Sequence, residues 1–191
     1  ALCYTGPAAE GESLVAPLKE FGEPYGTHLG IMPFAEWQQA FDPLLTRGAR
    51  NYWKTHNFTH LAEDALSTFI GCASALPSPQ CEIFIAHVAG AANRIAADAM
   101  AYGHRDAQFV MNVHGRWENA ADDEACIGWA RSVFQATQAF ASAGAYINFM
   151  TEDESARVEN AFGDNLARLQ SIKARYDGDN LFHLNQNIAP Q

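Results

Sequence analysis

Tyr146 and Asn148 stand two residues apart in the run Gly144-Ala145-Tyr146-Ile147-Asn148-Phe149. If the run is extended, alternate side chains share a face. The phenol and the amide then project together, while Ala145, Ile147 and Phe149 supply the other side. A phenol can give or take a proton, and an amide offers both a donor and an acceptor. Such a pair could hold and deprotonate a hydroxyl. Taken alone, a cross-strand polar pair explains the two residues better than a site does.

Two other alternating runs carry polar groups. Phe109, Met111 and Val113 point one way, and Val110, Asn112 and His114 the other. A solvated strand face explains the second set by itself. Tyr52, Lys54 and His56 likewise share one face of a run over 49–57, where a lone lysine is ordinarily surface. His56 and His60 stand four apart, but His56 falls in a strand-like run and no Glu neighbours it as in H-E-x-x-H, so no metal site is expected. No G-x-G-x-x-G, P-loop or G-x-S-x-G motif occurs, so the chain lacks an obvious phosphate cradle or nucleophile elbow of its own.

These groups need elements to hold them. A short strand is read at 2–4 and a helix at 10–21, weakened by Pro17. Pro33 suits the first position of another helix, followed by Phe34, Trp37 and Phe41. Ala62, Ala65, Leu66, Phe69 and Ile70 mark one helix face, and Cys81–Val88 reads as a strand. Asp122 or Asp123 can cap a long helix through Phe140. Thr151-Glu152-Asp153-Glu154 is a capping box for a helix closed by Gly163, and Asp164 can cap the next, with Leu166, Leu169, Ile172 and Tyr176 inward. Strands and helices mix without a β-α-β repeat. The expectation is an α+β fold, an antiparallel β-sheet with helices packed on one face, in a single domain over 1–191.

An apolar fraction of 48% with 18% charged residues indicates a folded chain rather than a disordered one. The net charge of −10 argues against nucleic acid and anionic membrane as partners. No run reaches the length of a membrane helix. Cys3, Cys72, Cys81 and Cys126 form no C-x-x-C pair. Buried free thiols suit a reducing, cytoplasmic setting, with a Cys72–Cys81 bridge as the alternative. The chain opens inside the apolar run Ala1-Leu2-Cys3-Tyr4, which reads as part of a larger or processed protein.

The last fifty residues hold an ordered series of matches. Tyr146-Ile147-Asn148-Phe149 is followed by Phe162-Gly163-Asp164-Asn165 and Leu166-Ala167-Arg168-Leu169. Then come Lys173-Ala174-Arg175-Tyr176-Asp177, Asn180-Leu181-Phe182, and Asn185-Gln186-Asn187-Ile188-Ala189-Pro190. The series resembles the closing signature of berberine-bridge-enzyme-like flavoproteins. There a Y-x-N-[YF] strand precedes [YF]-G-x-N-x-x-R-L, a K-x-x-Y-D-P turn and an asparagine-rich end. Tyr52-Trp53-Lys54, and His104-Arg105-Asp106 with Trp117, are similar to earlier parts of the family. Gly178 stands where the family usually has proline, and Phe149 where many members have tyrosine.

The resemblance implies the substrate-binding, C-terminal part of an FAD-linked oxidase, with the flavin held mainly by an N-terminal domain absent from this chain. It implies Tyr146 as the acid–base or substrate-orienting group, with Asn148, Asn185 and Asn187 toward the cofactor. Asn112 sits where the family often has a substrate-facing glutamine. His114, Arg105 and Lys54 are expected around a hydroxyl- or amine-bearing small-molecule substrate. A phenol near pKa 10 needs a positive charge or strong hydrogen bond to act as base near neutrality, and those three could supply it. Hydride passes to flavin and then to dioxygen on this reading, and the chain alone is expected to be inactive. An unpaired apolar face would favour self-association. A stand-alone small-molecule-binding module without redox chemistry is the alternative.

Overall fold

The computed structural model describes residues 1–45 and 47–191. The chain divides into two compact units, Ala1–Arg47 and Gly48–Gln191, where the sequence reading treats it as one domain. The first unit holds helix α1 (Ala8–Lys19) and the short α2 (Phe34–Gln38). Residues 2–4, read as a strand, are irregular, and Pro33 precedes α2 rather than opening it. Pro17 sits in the last turn of α1, where it cannot donate to the Ser13 carbonyl and the helix ends two residues later.

The second unit carries strand β1 (Arg50–Phe58), helix α3 (Glu63–Ala73), strands β2 (Glu82–His87) and β3 (Phe109–Trp117), and helices α4 (Asp123–Thr137), α5 (Val158–Phe162) and α6 (Leu166–Tyr176). The strands form an antiparallel sheet in the order β1-β3-β2. This is the expected α+β architecture, with α3 and α4 against one face. Met111 and Val113 of β3 and Phe58 of β1 meet Ala65 and Phe69 of α3 and Ala130 and Val133 of α4 in the main core. Their alternation in the strands and three- to four-residue spacing in the helices is what buries them together.

Gly115 lets α4 approach the sheet. A Cβ there would lie 3.1 Å from the Tyr52 carbonyl oxygen and 3.4 Å from that of Cys126. At the start of α4, the Asp123 carboxylate accepts from Trp117 Nε1 at 2.6 Å and Arg50 Nε at 2.5 Å. Arg50 and Trp117 are register partners, so one carboxylate ties the ends of two strands to a helix. Asp123 therefore works across the fold rather than as the side-chain cap read from the sequence.

The outer side of β1 is closed without another strand. The Asn57 carbonyl accepts from the Ser142 N–H at 2.8 Å. The Trp53 carbonyl accepts from the Thr151 hydroxyl and the Thr55 carbonyl from the Arg157 guanidinium, both at 3.4 Å. This corrects the strand expected at 144–149. Gly144 has φ +84°, outside the β region, and Ile147–Phe149 is a 3-10 turn. The capping box is half formed, with the Thr151 N–H reaching Glu154 Oε2 at 3.4 Å; the Glu152 side chain lies outside the described residues. Gly163 closes α5 with φ +52° as expected. The inward face expected of α6 is not buried: Ile172 is 44% and Tyr176 76% exposed. All four cysteines are free, Cys81 and Cys126 buried and Cys3 exposed. Among the described residues no helix is long and apolar enough to cross a membrane.

Met111 is fully buried at the centre of the core. Met111→Ala should destabilise the protein by about 2–5 kcal/mol, read as a lower urea midpoint; an unchanged midpoint would contradict a core seated on β3.

Candidate functional site

The register sorts the predicted substrate groups onto opposite faces of the sheet. Lys54 pairs with Val113, while Asn112 pairs with Thr55 and His114 with Trp53. Lys54 therefore lies on the side of α4, with Tyr52 and His56. Asn112 and His114 share the other face with Trp53, Thr55 and Asn57. Both ring nitrogens of His114 are engaged, Nε2 with Asn51 Oδ1 at 3.0 Å and Nδ1 with Glu82 Oε1 at 3.3 Å. Its ring meets Trp53 edge-on at 5.6 Å. His114 is thus fixed across all three strands.

That face also carries unsatisfied polarity. Asn112 Oδ1, Trp53 Nε1 and both amide atoms of Asn57 are buried without a hydrogen-bond partner. Asn57 is 0% exposed. Buried polar atoms are rarely left unpaired, because each one costs its desolvation. Such a group on one face of the sheet, drawn from β1 and β3, fits a ligand with hydrogen-bonding edges or ordered water. The sequence shows Asn57 and Trp53 only as alternating strand residues, so neither stood out.

On the α4 side Lys54 is held by the protein itself. Its Nζ lies 2.7 Å from Asp153 Oδ1 and 3.5 Å from Glu154 Oε2. It stands over the rings of Tyr52 at 5.2 Å and Phe134 at 5.8 Å. Arg131 joins through the Tyr52 hydroxyl at 3.0 Å and Asp153 at 3.3 Å. Arg157 pairs with Glu154. Burial by itself would raise the Asp153 carboxyl, but hydrogen bonds from Lys54, Thr151 and Tyr52 outweigh it and hold the group well below the usual carboxylate range. His56 stacks on Phe134 at 4.1 Å and bonds its carbonyl at 3.0 Å. Burial pushes its pKa down to about 4, the carbonyl bond opposing and the Arg157 charge assisting.

A cleft of about 450 Å³ opens beside this cluster, with Tyr52, Trp53, Arg131, Asp153 and Asn185 in its walls. Asn185 adopts φ +60°, and the neighbouring Gln186 side chain donates to the Met150 carbonyl at 2.8 Å. The Asn187 N–H returns to the Asn185 carbonyl at 3.0 Å. Asn185 thus shares the cleft with Asp153, and Gln186 ties the tail to the residue that follows the Ile147–Phe149 turn.

Tyr146 and Asn148 are adjacent, but through the 3-10 turn rather than strand alternation. Asn148 Nδ2 donates to the Tyr146 hydroxyl at 2.9 Å. The half-buried Tyr146 ring stands edge-on to Phe149 at 5.0 Å and Tyr102 at 6.1 Å. Neither Tyr146 nor Asn148 lines the cleft. Arg105 is placed over the Tyr102 ring at 5.0 Å, and its Nη1 donates to the Ala92 carbonyl at 2.8 Å. Burial raises the Tyr102 phenol, with the Arg105 charge pulling the other way. Tyr102 sits in an aperiodic loop, and its position two residues before His104-Arg105 was the sole available cue.

The family model described as Berberine and berberine like matches residues 145–189. Residues 145–189, the berberine-like segment, are similar to that family. Over 98% of its length the chain is 24% identical to the FAD-linked oxidoreductase YgaK of Bacillus subtilis, and it covers 42% of that protein. It is 32% identical to a carbohydrate oxidase of Microdochium nivale over 47% of this chain and 19% of that one. The solved structure of the berberine-bridge-enzyme-like protein 28 of Arabidopsis thaliana matches 98% of this chain and 46% of its own, with a TM-score of 0.77 at 18% identity. The chain is similar to a part of FAD-linked oxidoreductases, spanning about two fifths of such relatives' length. The berberine-like segment contains Tyr146, Asn148 and the tail asparagines, whereas Asn112, His114 and Lys54 lie on the sheet that precedes it.

His56 gives a pH dependence with a definite sign. Its folded pKa of about 4 lies below the unfolded value near 6.5. The unfolded chain therefore binds a proton first, and stability falls as pH drops from about 6.5 to 4, by up to about 3 kcal/mol. His56→Phe should flatten this part of the profile in urea titrations. Parallel profiles for the two proteins would refute the assignment.

Proposed function

We propose that the chain forms the substrate-facing part of an FAD-dependent oxidoreductase that oxidises a hydroxyl-bearing small molecule, with dioxygen as the final acceptor. The observation that carries this is the Tyr146–Asn148 hydrogen bond inside the berberine-like segment. The Asn148 amide N–H donates to the phenol oxygen and so fixes where that oxygen sits, as a group that exchanges a proton with a substrate hydroxyl must be fixed. Bound flavin supplies the hydride acceptor, and the protein supplies position and proton traffic.

The unpaired Asn112, Asn57 and Trp53 atoms support a polar ligand on the face away from α4. Asn112 orients the substrate there, and His114 braces the strand pair beneath it. Asn148 lies next to the phenol and would face the flavin edge, while Asn185 and Asn187 belong to the seam with the flavin-holding domain. Lys54 and Arg105 act from behind, through Asp153 and Tyr102. The relatives' coverage supports a further domain that holds most of the FAD. A sugar-type hydroxyl is the favoured substrate class, since relatives include a carbohydrate oxidase and a glycopeptide hexose oxidase.

In the complete protein, Tyr146→Phe should lower turnover by on the order of tenfold or more while flavin content holds. Turnover equal to that of the parent protein would remove Tyr146 from the chemistry.

A further inference from the structure

The loop between β2 and β3 is fastened to the berberine-like segment at several points. Asn165, 8% exposed, donates through Nδ2 to the Ala97 carbonyl at 2.7 Å and the Met100 carbonyl at 3.0 Å. Arg168 Nη1 donates to the Asp98 carbonyl at 2.9 Å. The Asn165 amide packs so closely over Gly103 that a Cβ there would lie 2.9 Å from Nδ2. His104 Nε2 bonds the Asn160 carbonyl at 2.8 Å. The His104 ring also rests on the Cα of Gly144, where a Cβ would come within 2.2 Å of Nε2. Each clamp flanks one residue, Tyr102, whose ring meets Tyr146 edge-on.

We propose that Tyr102 is a positioning residue for the Tyr146 phenol, and that Asn165 and Arg168 act through the 97–104 loop to hold it there. The inference rests on the acid–base reading of Tyr146. Tyr146 lies two residues after a glycine at φ +84° and caps the start of a single 3-10 turn in an extended conformation, so local backbone gives its ring little support. Phe149 and Asn148 come from the same turn and move with it. Tyr102 contributes a ring contact from another part of the chain, and the Arg105 guanidinium pins its ring from above. Edge-on aromatic pairs favour one orientation over others. Asn165 and Arg168, matched to the signature by sequence, spend their polar groups on the loop backbone, which assigns them a structural errand at the site.

The test uses the complete flavin-loaded protein and the variants Tyr102→Leu, Tyr102→Phe, Arg168→Gln and Tyr146→Phe. Tyr102→Leu should lower kcat by on the order of tenfold, since small misplacements of a reacting group are costly, and should shift the pH profile of kcat. Tyr102→Phe, which keeps the ring, should recover most of the loss, and Arg168→Gln should move both quantities in the direction of Tyr102→Leu. Ultraviolet titration of the Tyr146 phenol, obtained by difference from Tyr146→Phe, should shift its midpoint in Tyr102→Leu and not in Tyr102→Phe. The proposal is overturned if Tyr146→Phe loses activity while Tyr102→Leu, with parental flavin content and melting temperature, leaves kcat and the midpoint unmoved. If Tyr146→Phe keeps full activity, the acid–base reading fails, and the titration still decides whether Tyr102 places the phenol. If Tyr102→Leu does not fold, Arg168→Gln decides: an unshifted pH profile and midpoint there overturn the proposal.

Discussion

The antiparallel register of β3 between β1 and β2 is the constraint on which the site geometry depends. Side chains alternate strictly along a strand, so a slip of one residue would exchange the two faces. Met111 and Val113 would lose α3 and α4, and Asn112 and His114 would be driven into the core. The apolar contacts of Phe58, Met111 and Val113 make that slip costly. At one end the Asp123 carboxylate reinforces the same register, because it grips the partners Arg50 and Trp117 together. The placement of polar groups is thus a by-product of core packing.

The α4 side of β1 shows how a folded chain tolerates charge there. Lys54 is 6% exposed, yet it meets two carboxylates and two aromatic rings. Glu154 is also buried, and Arg157 pairs with it. Desolvation is offset because partners sit on both sides of each charge. Removing Lys54 would leave Glu154 buried with one partner fewer. The cluster joins β1 and α4 to the 151–157 stretch of the berberine-like segment, and so seats that segment against the sheet.

Much of the fold was legible from periodicity. β1, β3, α3 and α4 lie within a few residues of the expected spans because each has a clear two- or near-four-residue repeat. Parity failed to tell which side of β1 is inward, since both alternating sets are polar or mixed: Tyr52, Lys54 and His56 on one, Trp53, Thr55 and Asn57 on the other. The decision came from β3, where only one set is apolar. The 144–149 run looked like a strand for the same reason, but a left-handed glycine and side-chain closure of β1 left no ladder for it to join. The proximity of Tyr146 and Asn148 was correct for a different geometric reason. Tyr102 had no repeat to betray it, since a loop residue gains its neighbours through tertiary clamps such as Asn165.

The closed flank of β1 has a consequence for the protein's behaviour in crowded solution. An unpaired strand border is a template on which another chain can grow. Here an amide, a hydroxyl and a guanidinium already occupy the acceptors along that flank. An incoming segment would have to evict all of them before forming its own ladder. The chain therefore guards this border against fibril-like growth with Ser142 and with Thr151 and Arg157 of the berberine-like segment itself.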